Sequence, residues 1–335
     1  MKALMMTQYG DVNTSLAFQT VAKPQISNNQ VLIKTHAASI NPIDYKVLRG
    51  DMKAFSKLTF PAGIGRDVSG VVAEIGSNVK GLAIGDEVFS RVAEPYAGTL
   101  AEYAVSDADH IVKKPNNLSH EEAASIPLVG LTAYQALIDI AKLQSGEKVL
   151  IHAGSGGLGT VAIQLAKSLG AFVATTTSTA NVDLVKRIGA DQVIDYKTEN
   201  YLNEVKDFDV VFDTLGGNYT ADAFKVIKMG GRVVSVSGEL DGQTTKNLGL
   251  SFFIRGLLAL KARKVTKAAE QKKALYRFVL MSPNGQQLSA LADLYVANTI
   301  TPVIDSVYKF DNSVEAFNSL VKGRAKGKIV INFVD

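Results

Sequence analysis

The chain of 335 residues sets 36 Lys and Arg against 32 Asp and Glu, a net charge of +4, and contains no cysteine. So small a charge, with no dense basic cluster interleaved with aromatics, argues against a nucleic-acid partner, and the missing cysteine excludes disulfides, thiolate nucleophiles and thiolate metal sites. With 47% hydrophobic and 20% charged residues, the chain has apolar material for about two domains of roughly 150 residues each.

In chain order, MKALMMTQYGD meets polar residues too early for the core of a secretion signal, so a cytoplasmic protein is expected. The first third reads as strands and turns. QVLIKTHAASI (Gln30 to Ile40), SGVVAEIG (Ser69 to Gly76), GDEVFSRV and LAEYAVSD are rich in β-branched residues and bounded by turn formers. They predict a small, mainly β domain. Near residue 120 the texture changes. Ser119 stands three residues before Glu122, a capping-box spacing, and strand and helix then alternate. EKVLIHA, AFVATTT, DQVIDY, FDVVFDT and GRVVSVSG read as strands; LGTVAIQLAKSLG, NVDLVKRIG and TADAFKVIKM read as helices. Near-continuous apolar strands in such alternation predict a doubly wound parallel sheet covered on both faces.

The longest apolar stretch, LGLSFFIRGLLALKA, is broken by Arg255 and too short to span a bilayer, so no membrane partner is expected. The basic run Leu260 to Lys273 reads as a solvated helix face or as an anion or partner patch. The tail predicts a helix over 286–297, a strand over 303–310, a helix over 313–322 and a final strand GKIVINFV, returning to the first domain.

The stretch HAGSGGLG places Gly154, Gly156 and Gly159 in the G-x-G-x-x-G spacing, between a strand and a helix. A helix start offers unpaired backbone N–H groups and partial positive charge. The first glycine permits the tight turn, the second the approach of a pyrophosphate, the third close helix–strand packing. The loop from Gly154 to Gly159, including Ser155, Gly157 and Leu158, is therefore the expected phosphate cradle of a dinucleotide. An NAD site usually carries an acid about 20 residues after the first glycine. Here Thr175, Thr176, Thr177 and Ser178 occupy that place, followed by Asn181, with Tyr196 ending the next strand. Hydroxyl and amide donors suit a 2′-phosphate, which favours NADPH. The threonines also read simply as strand formers.

Together with these features, AASINPIDYKVLRG (Ala37 to Gly50), PAGIGRDVSGVVAEIG (Pro61 to Gly76), GDEVF (Gly85 to Phe89), AASIPLVGLTAYQAL (Ala123 to Leu137) and GRAKGKIVINF make the whole chain resemble the zinc-free quinone oxidoreductase branch of the medium-chain dehydrogenase/reductase superfamily. The resemblance implies an α/β fold: a β-rich, GroES-like substrate domain over residues 1–121 and 284–335, a Rossmann domain over residues 122–283, a cleft between them and a homodimer. It implies hydride transfer from NADPH to quinones or α,β-unsaturated carbonyls. No metal is expected. Where the zinc branch carries ligands this chain has SINPID and GRD, with Arg66 in the place of a histidine, and His36, His110, His120 and His152 show no ligand spacing.

Without a metal, a hydrogen-bond donor must meet the charge that develops on the acceptor's carbonyl oxygen. Asn41 matches a family position near the nicotinamide; Tyr45 and Lys46 are donors in the same motif, either able to supply a proton. Asp44 and Asp67 match positions facing the cleft, with Arg66 a potential partner. Thr132 resembles the residue holding the carboxamide. Leu215, Gly216, Val236 and Ser237 follow later strands, at the nicotinamide end. Phe252 and Phe253 are expected to wall the pocket, or to be core aromatics, and Lys328 to reach the cofactor. Two other readings remain open: an enoyl-thioester reductase using the basic segment as a carrier groove, and a non-catalytic NADPH-binding scaffold.

Overall fold

The computed structural model describes residues 1–53, 57–95 and 98–334. They fall into two compact units, Met1–Leu131 with Ser282–Asp335, and Thr132–Met281. The first unit begins with β1 (Lys2–Met6), β2 (Leu16–Thr20), β3 (Gln30–Ile40), β4 (Ala62–Gly63), β5 (Asp67–Ile75), β6 (Glu87–Arg91), β7 (Tyr103–Asp107) and β8 (Ile111–Lys113). The second carries β9 (Lys148–Ile151), β10 (Phe172–Thr177), β11 (Gln192–Asp195), β12 (Phe208–Asp213), β13 (Ile227–Ser235) and β14 (Leu275–Phe278), and the chain returns to the first with β15 (Ile304–Lys309) and β16 (Lys328–Asn332).

In the first unit β15, β16, β3, β5, β6 and β8 run side by side, with β7 also on β3, and a smaller sheet orders β2, β1, β4. The long β3 bends at two register shifts, which let one strand pair with β5, β7 and β16. Val31, Ile33, Val68, Val72 and Val88 form one core beneath it; Leu4, Ile40, Leu48, Phe317 and Ile331 form another. Burial of each such side chain contributes roughly 1.5–3 kcal/mol.

The second unit is one parallel sheet, ordered β11, β10, β9, β12, β13, β14. Counted from β9 this is the order 3-2-1-4-5-6, which reverses direction between β9 and β12, where ligands of such sheets bind beyond the strand C-termini. The central strands are apolar on both faces, as in Val149 to Ile151 and Val210 to Phe212, all fully buried. The helix predicted over TADAFKVIKM stops at Val226, and Ile227 to Met229 join β13. Ile227 stands opposite Phe208 in the ladder, and its burial there outweighs helix propensity. Each predicted tail element lies close to its observed counterpart, Gly285–Val296, Ile304–Lys309, Ser313–Val321 and Lys328–Asn332. The apolar stretch around Arg255 forms the helix Phe252–Lys261, and no helix of the described residues is long and apolar enough to cross a membrane.

Candidate functional site

β9 delivers the chain into the glycine loop through Ala153, which takes a left-handed φ of 51°, an uncommon conformation for a residue with a Cβ. Two of the glycines are demanded by the protein's own packing. A Cβ on Gly154 would lie 2.0 Å from Thr175 Oγ1, and one on Gly159 would lie 2.4 Å from the Ala153 carbonyl oxygen and 2.6 Å from Gly154 Cα. Gly156 differs. A Cβ there would meet nothing closer than 3.5 Å, and its φ of −78° suits any residue. Gly156 is the N-cap of the helix Gly157–Ser168, whose first turn offers free N–H groups to an anion. Side-chain absence at Gly156 keeps open a space that the chain itself does not fill, as approach of a pyrophosphate requires.

The threonine run divides by role. Thr175 Oγ1 donates to the Ile151 carbonyl at 2.7 Å, and Thr176 Oγ1 accepts from Ala153 N at 3.1 Å and lies 3.2 Å from His152 Nδ1. Both are structural. Burial pushes the His152 imidazole down to about 4, so it is neutral near pH 7. Thr177 is the first hydroxyl at the loop. It donates to Ser155 Oγ at 3.0 Å; Asn181 Nδ2 donates to the same oxygen at 3.0 Å and to Ser178 Oγ at 3.2 Å. Tyr196 N donates to the Thr177 carbonyl at 3.0 Å, which places the half-exposed tyrosine beside this cluster. The carboxylate of Asp195, register partner of Thr177, accepts from Thr179 Oγ1 and from Lys197 N. Ser155, Thr177, Ser178 and Asn181 are thus brought together as a hydroxyl–amide cluster at the loop, with no acid among them.

Beyond β12 and β13 a second cluster forms around Asp213, which the sequence reading missed. Its Oδ1 accepts from Leu215 N and Gly216 N, each at 2.9 Å, and its Oδ2 from Thr220 and Ser235 hydroxyls at 2.6 and 2.8 Å. Gly216 has φ 75°, and a Cβ on it would lie 2.2 Å from the Ser237 carbonyl oxygen. Ser237 Oγ donates to the Thr214 carbonyl at 3.1 Å, while Thr214 Oγ1 donates to the His152 carbonyl at 2.7 Å. Leu215, Gly216, Val236 and Ser237 therefore sit on adjacent loops tied to the end of β9.

In the first unit, Asn41 is the N-cap of the helix Pro42–Arg49, and its N–H donates to Asp44 Oδ2 at 2.8 Å. Its amide is held from both ends: Nδ2 donates to Asp67 Oδ2 at 2.9 Å, and Oδ1 accepts from the buried Lys328 ammonium. Lys328 also donates to the Ile40 carbonyl at 3.2 Å and lies 3.5 Å from Asp67. Asp67 accepts further from Ser39 Oγ and Leu128 N, both at 2.9 Å. Asp44 pairs with Arg66, which also reaches Glu94 at 2.6 Å. Burial pushes the Asp44 carboxyl up against the pull of Arg66, and lowers the Lys328 ammonium against the pull of Asp67. This paired network fixes the start of the helix that presents Tyr45, half-buried with the Arg49 guanidinium 5.5 Å from its ring centre, and Lys46, exposed.

Residues 27–116 match the family model described as an alcohol dehydrogenase GroES-like domain, and residues 188–331 the one described as a zinc-binding dehydrogenase. The quinone oxidoreductase structure from Coxiella burnetii superposes with a TM-score of 0.87 and 35% identity, over 100% of this chain and 99% of that one. The 2-methylene-furan-3-one reductase of Solanum lycopersicum is 39% identical over 99% of this chain and 79% of its own length. The chain belongs to the zinc-free quinone oxidoreductase branch of the medium-chain dehydrogenase/reductase superfamily. A third relative, the NADPH-dependent alkenal/one oxidoreductase of Arabidopsis thaliana chloroplasts, is 35% identical over 99% of this chain and 79% of its own length.

Asn41 of the SINPID segment and Arg66 of the GRD segment are both engaged with carboxylates, Asn41 by a hydrogen bond to Asp67 and Arg66 by an ion pair with Asp44. Among the described residues no group of three or more His, Cys, Asp or Glu side chains is placed to hold a metal. Of the other residues singled out in the sequence, Thr132 is buried on the helix Pro127–Tyr134, and Phe253 stands outward at 82% exposure, joining neither hydrogen-bonded cluster.

Proposed function

We propose that this quinone oxidoreductase-branch protein transfers hydride from NADPH to quinones or α,β-unsaturated carbonyls without a metal. The observation that carries the reading is Gly156, a glycine of the loop that the chain's own packing does not require, next to a cluster of Thr177, Ser178, Asn181 and Ser155 suited to a phosphate. NADPH held there supplies the hydride. Gly154 to Gly159 hold the pyrophosphate, the hydroxyl–amide cluster with Tyr196 the 2′-phosphate, and Thr132, Leu215, Gly216, Val236 and Ser237 the nicotinamide end. Tyr45 or Lys46, on a helix fixed through Asn41, donates to the acceptor's carbonyl oxygen or supplies the proton that completes an enone reduction. Residues 1–121 with 284–335 serve the substrate and residues 122–283 the dinucleotide. A screen of NADPH oxidation across quinones, enones and enals tests the reading; turnover of an enoyl thioester far above all of these would assign the chain to carrier-bound substrates instead.

The lack of an acid predicts cofactor preference. Thr177→Asp places a carboxylate in the hydroxyl cluster and is expected to weaken NADPH by at least about tenfold relative to NADH, because like charges brought together cost strongly. Fluorescence titration with both cofactors checks it, NADH affinity serving as the control for folding. Equal losses would contradict the assignment. Dialysis against a strong chelator is expected to leave turnover unchanged, and one tightly bound zinc per chain by metal analysis would overturn the metal-free reading.

The proposed setting is a cytoplasmic homodimer. β14 ends the parallel sheet with one edge unpaired among the described residues, and an open edge is a template for a second copy. Light scattering giving a monomer mass at assay concentration would contradict it.

A further inference from the structure

The helix Phe252–Lys261 turns its apolar face outward. Phe253, Leu257 and Leu260 follow the i, i+4, i+7 spacing of a single helical stripe, and they are 82%, 70% and 67% exposed; Phe252 is 83% exposed and no residue of the helix is buried. The next helix, Arg263–Gln271, is arranged in the ordinary sense, with Val265 and Ala269 buried and Arg263, Lys264 and Lys267 exposed. Residues 251–273 hold seven Lys or Arg side chains and one Glu, a net +6 in a chain whose whole charge is +4. The remainder of the chain is therefore slightly acidic, and the positive charge is concentrated beside the outward apolar stripe.

An apolar stripe flanked by cations is the pattern of a helix that lies in the interface of an anionic membrane, its large side chains below the headgroups and its Lys and Arg among the phosphates. A second copy of the chain fits this face less well. A two-fold contact is self-complementary in surface, so it would set one +6 segment against another. We infer that residues 252–273 form a docking face for an anionic phospholipid bilayer, on which the protein lies without spanning it. Where the acceptor is a quinone, docking brings the protein to the phase in which lipid-soluble quinones dissolve. That consequence rests on the reaction proposed above, whereas docking itself does not.

The test is cosedimentation of the full chain with vesicles of phosphatidylcholine mixed with phosphatidylglycerol, and with phosphatidylcholine alone. The expected result is binding to the anionic vesicles, little to the neutral ones, and release by high salt. Leu257→Gln with Leu260→Gln, and separately Arg263→Gln with Lys264→Gln and Lys267→Gln, are each expected to weaken binding at least about tenfold. Both should retain the wild-type melting temperature and turnover of a water-soluble quinone. Absence of wild-type binding to anionic vesicles overturns the inference, as does binding that neither variant reduces. A dimer that Leu257→Gln with Leu260→Gln dissociates, with no vesicle binding by the wild type, assigns the face to a second copy. Because vesicle binding is read without turnover, failure of the docking face and failure of the proposed reaction give separate results.

Discussion

Gly156→Val is expected to weaken NADPH binding about a hundredfold or more while leaving the free protein folded. A Cβ at this N-cap would meet nothing among the described residues closer than 3.5 Å, and loss of a glycine cap costs no more than about 1 kcal/mol. The same side chain would stand where the pyrophosphate approaches. Displacing it forfeits at least two backbone N–H contacts to an anion, each worth roughly 1.5–3 kcal/mol, and every 1.4 kcal/mol or so is tenfold in affinity. Gly159→Val is the opposite case. Its Cβ would press on the Ala153 carbonyl oxygen and Gly154 Cα, backbone atoms that cannot swing aside as a side chain can. Overpacking costs about 1–3 kcal/mol even where side chains adjust, so a drop in melting temperature of roughly 5 °C or more is expected. Thermal melts and NADPH titration of the two variants side by side check the pair. Gly156→Val binding NADPH as wild type would remove the main support for the cradle.

Lys46→Met or Tyr45→Phe is expected to slow enone reduction by roughly 10²–10³, the scale seen when one donor to a developing oxyanion is lost. Both residues lie on the helix that Asn41 caps, and the Asn41 amide is held between Asp67 and Lys328, so the helix start is fixed before a substrate arrives. Quinones accept hydride readily and should suffer less than enones, which depend more on polarisation of the carbonyl. NADPH affinity should survive either change, since neither residue touches the glycine loop's own hydrogen bonds. Turnover and NADPH titration with both acceptor classes check this. If neither substitution slows enone reduction tenfold, catalysis rests on positioning alone, with water as the proton source.

The parallel sheet was legible because its strands are short apolar runs separated by helices with a clear period, and β9, β10 and β12 fall where VLI, FVATTT and FDVVFD stand. The glycine loop was legible because strand, glycines and helix are contiguous. The β1–β2 pair was not, since MKALMM lacks the alternation of a half-buried strand, and its pairing with Leu16–Thr20 depends on a helical turn between them. Asp213 escaped notice for a related reason. A carboxylate ending an apolar strand looks like a strand boundary, and only the fold shows two loops and two hydroxyls converging on it. The threonine run shows the limit of local reading. Four hydroxyls in a row are equivalent in sequence, and Thr175, Thr176 and Thr177 are all buried, but their partners differ: Thr175 and Thr176 bond to the backbone of Ile151 and Ala153, whereas Thr177 and Ser178 bond to the side chains of Ser155 and Asn181. The network of Lys328, Asn41, Asp67 and Asp44 joins residues up to 287 positions apart, a distance no spacing argument bridges.

The account stands most directly on transfer of hydride from NADPH to carbon of an activated alkene. Reduction of an enone with NADPH deuterated at the nicotinamide C4 position, followed by mass spectrometry and NMR of the product, reads this without assumptions about any one residue. The account predicts deuterium at the β-carbon of the saturated ketone from one of the two C4 epimers of the labelled cofactor and not from the other, with the α-hydrogen drawn from solvent. A product formed without deuterium from the cofactor, or no saturated product from any enone or reduced product from any quinone while NADPH binds, would contradict it.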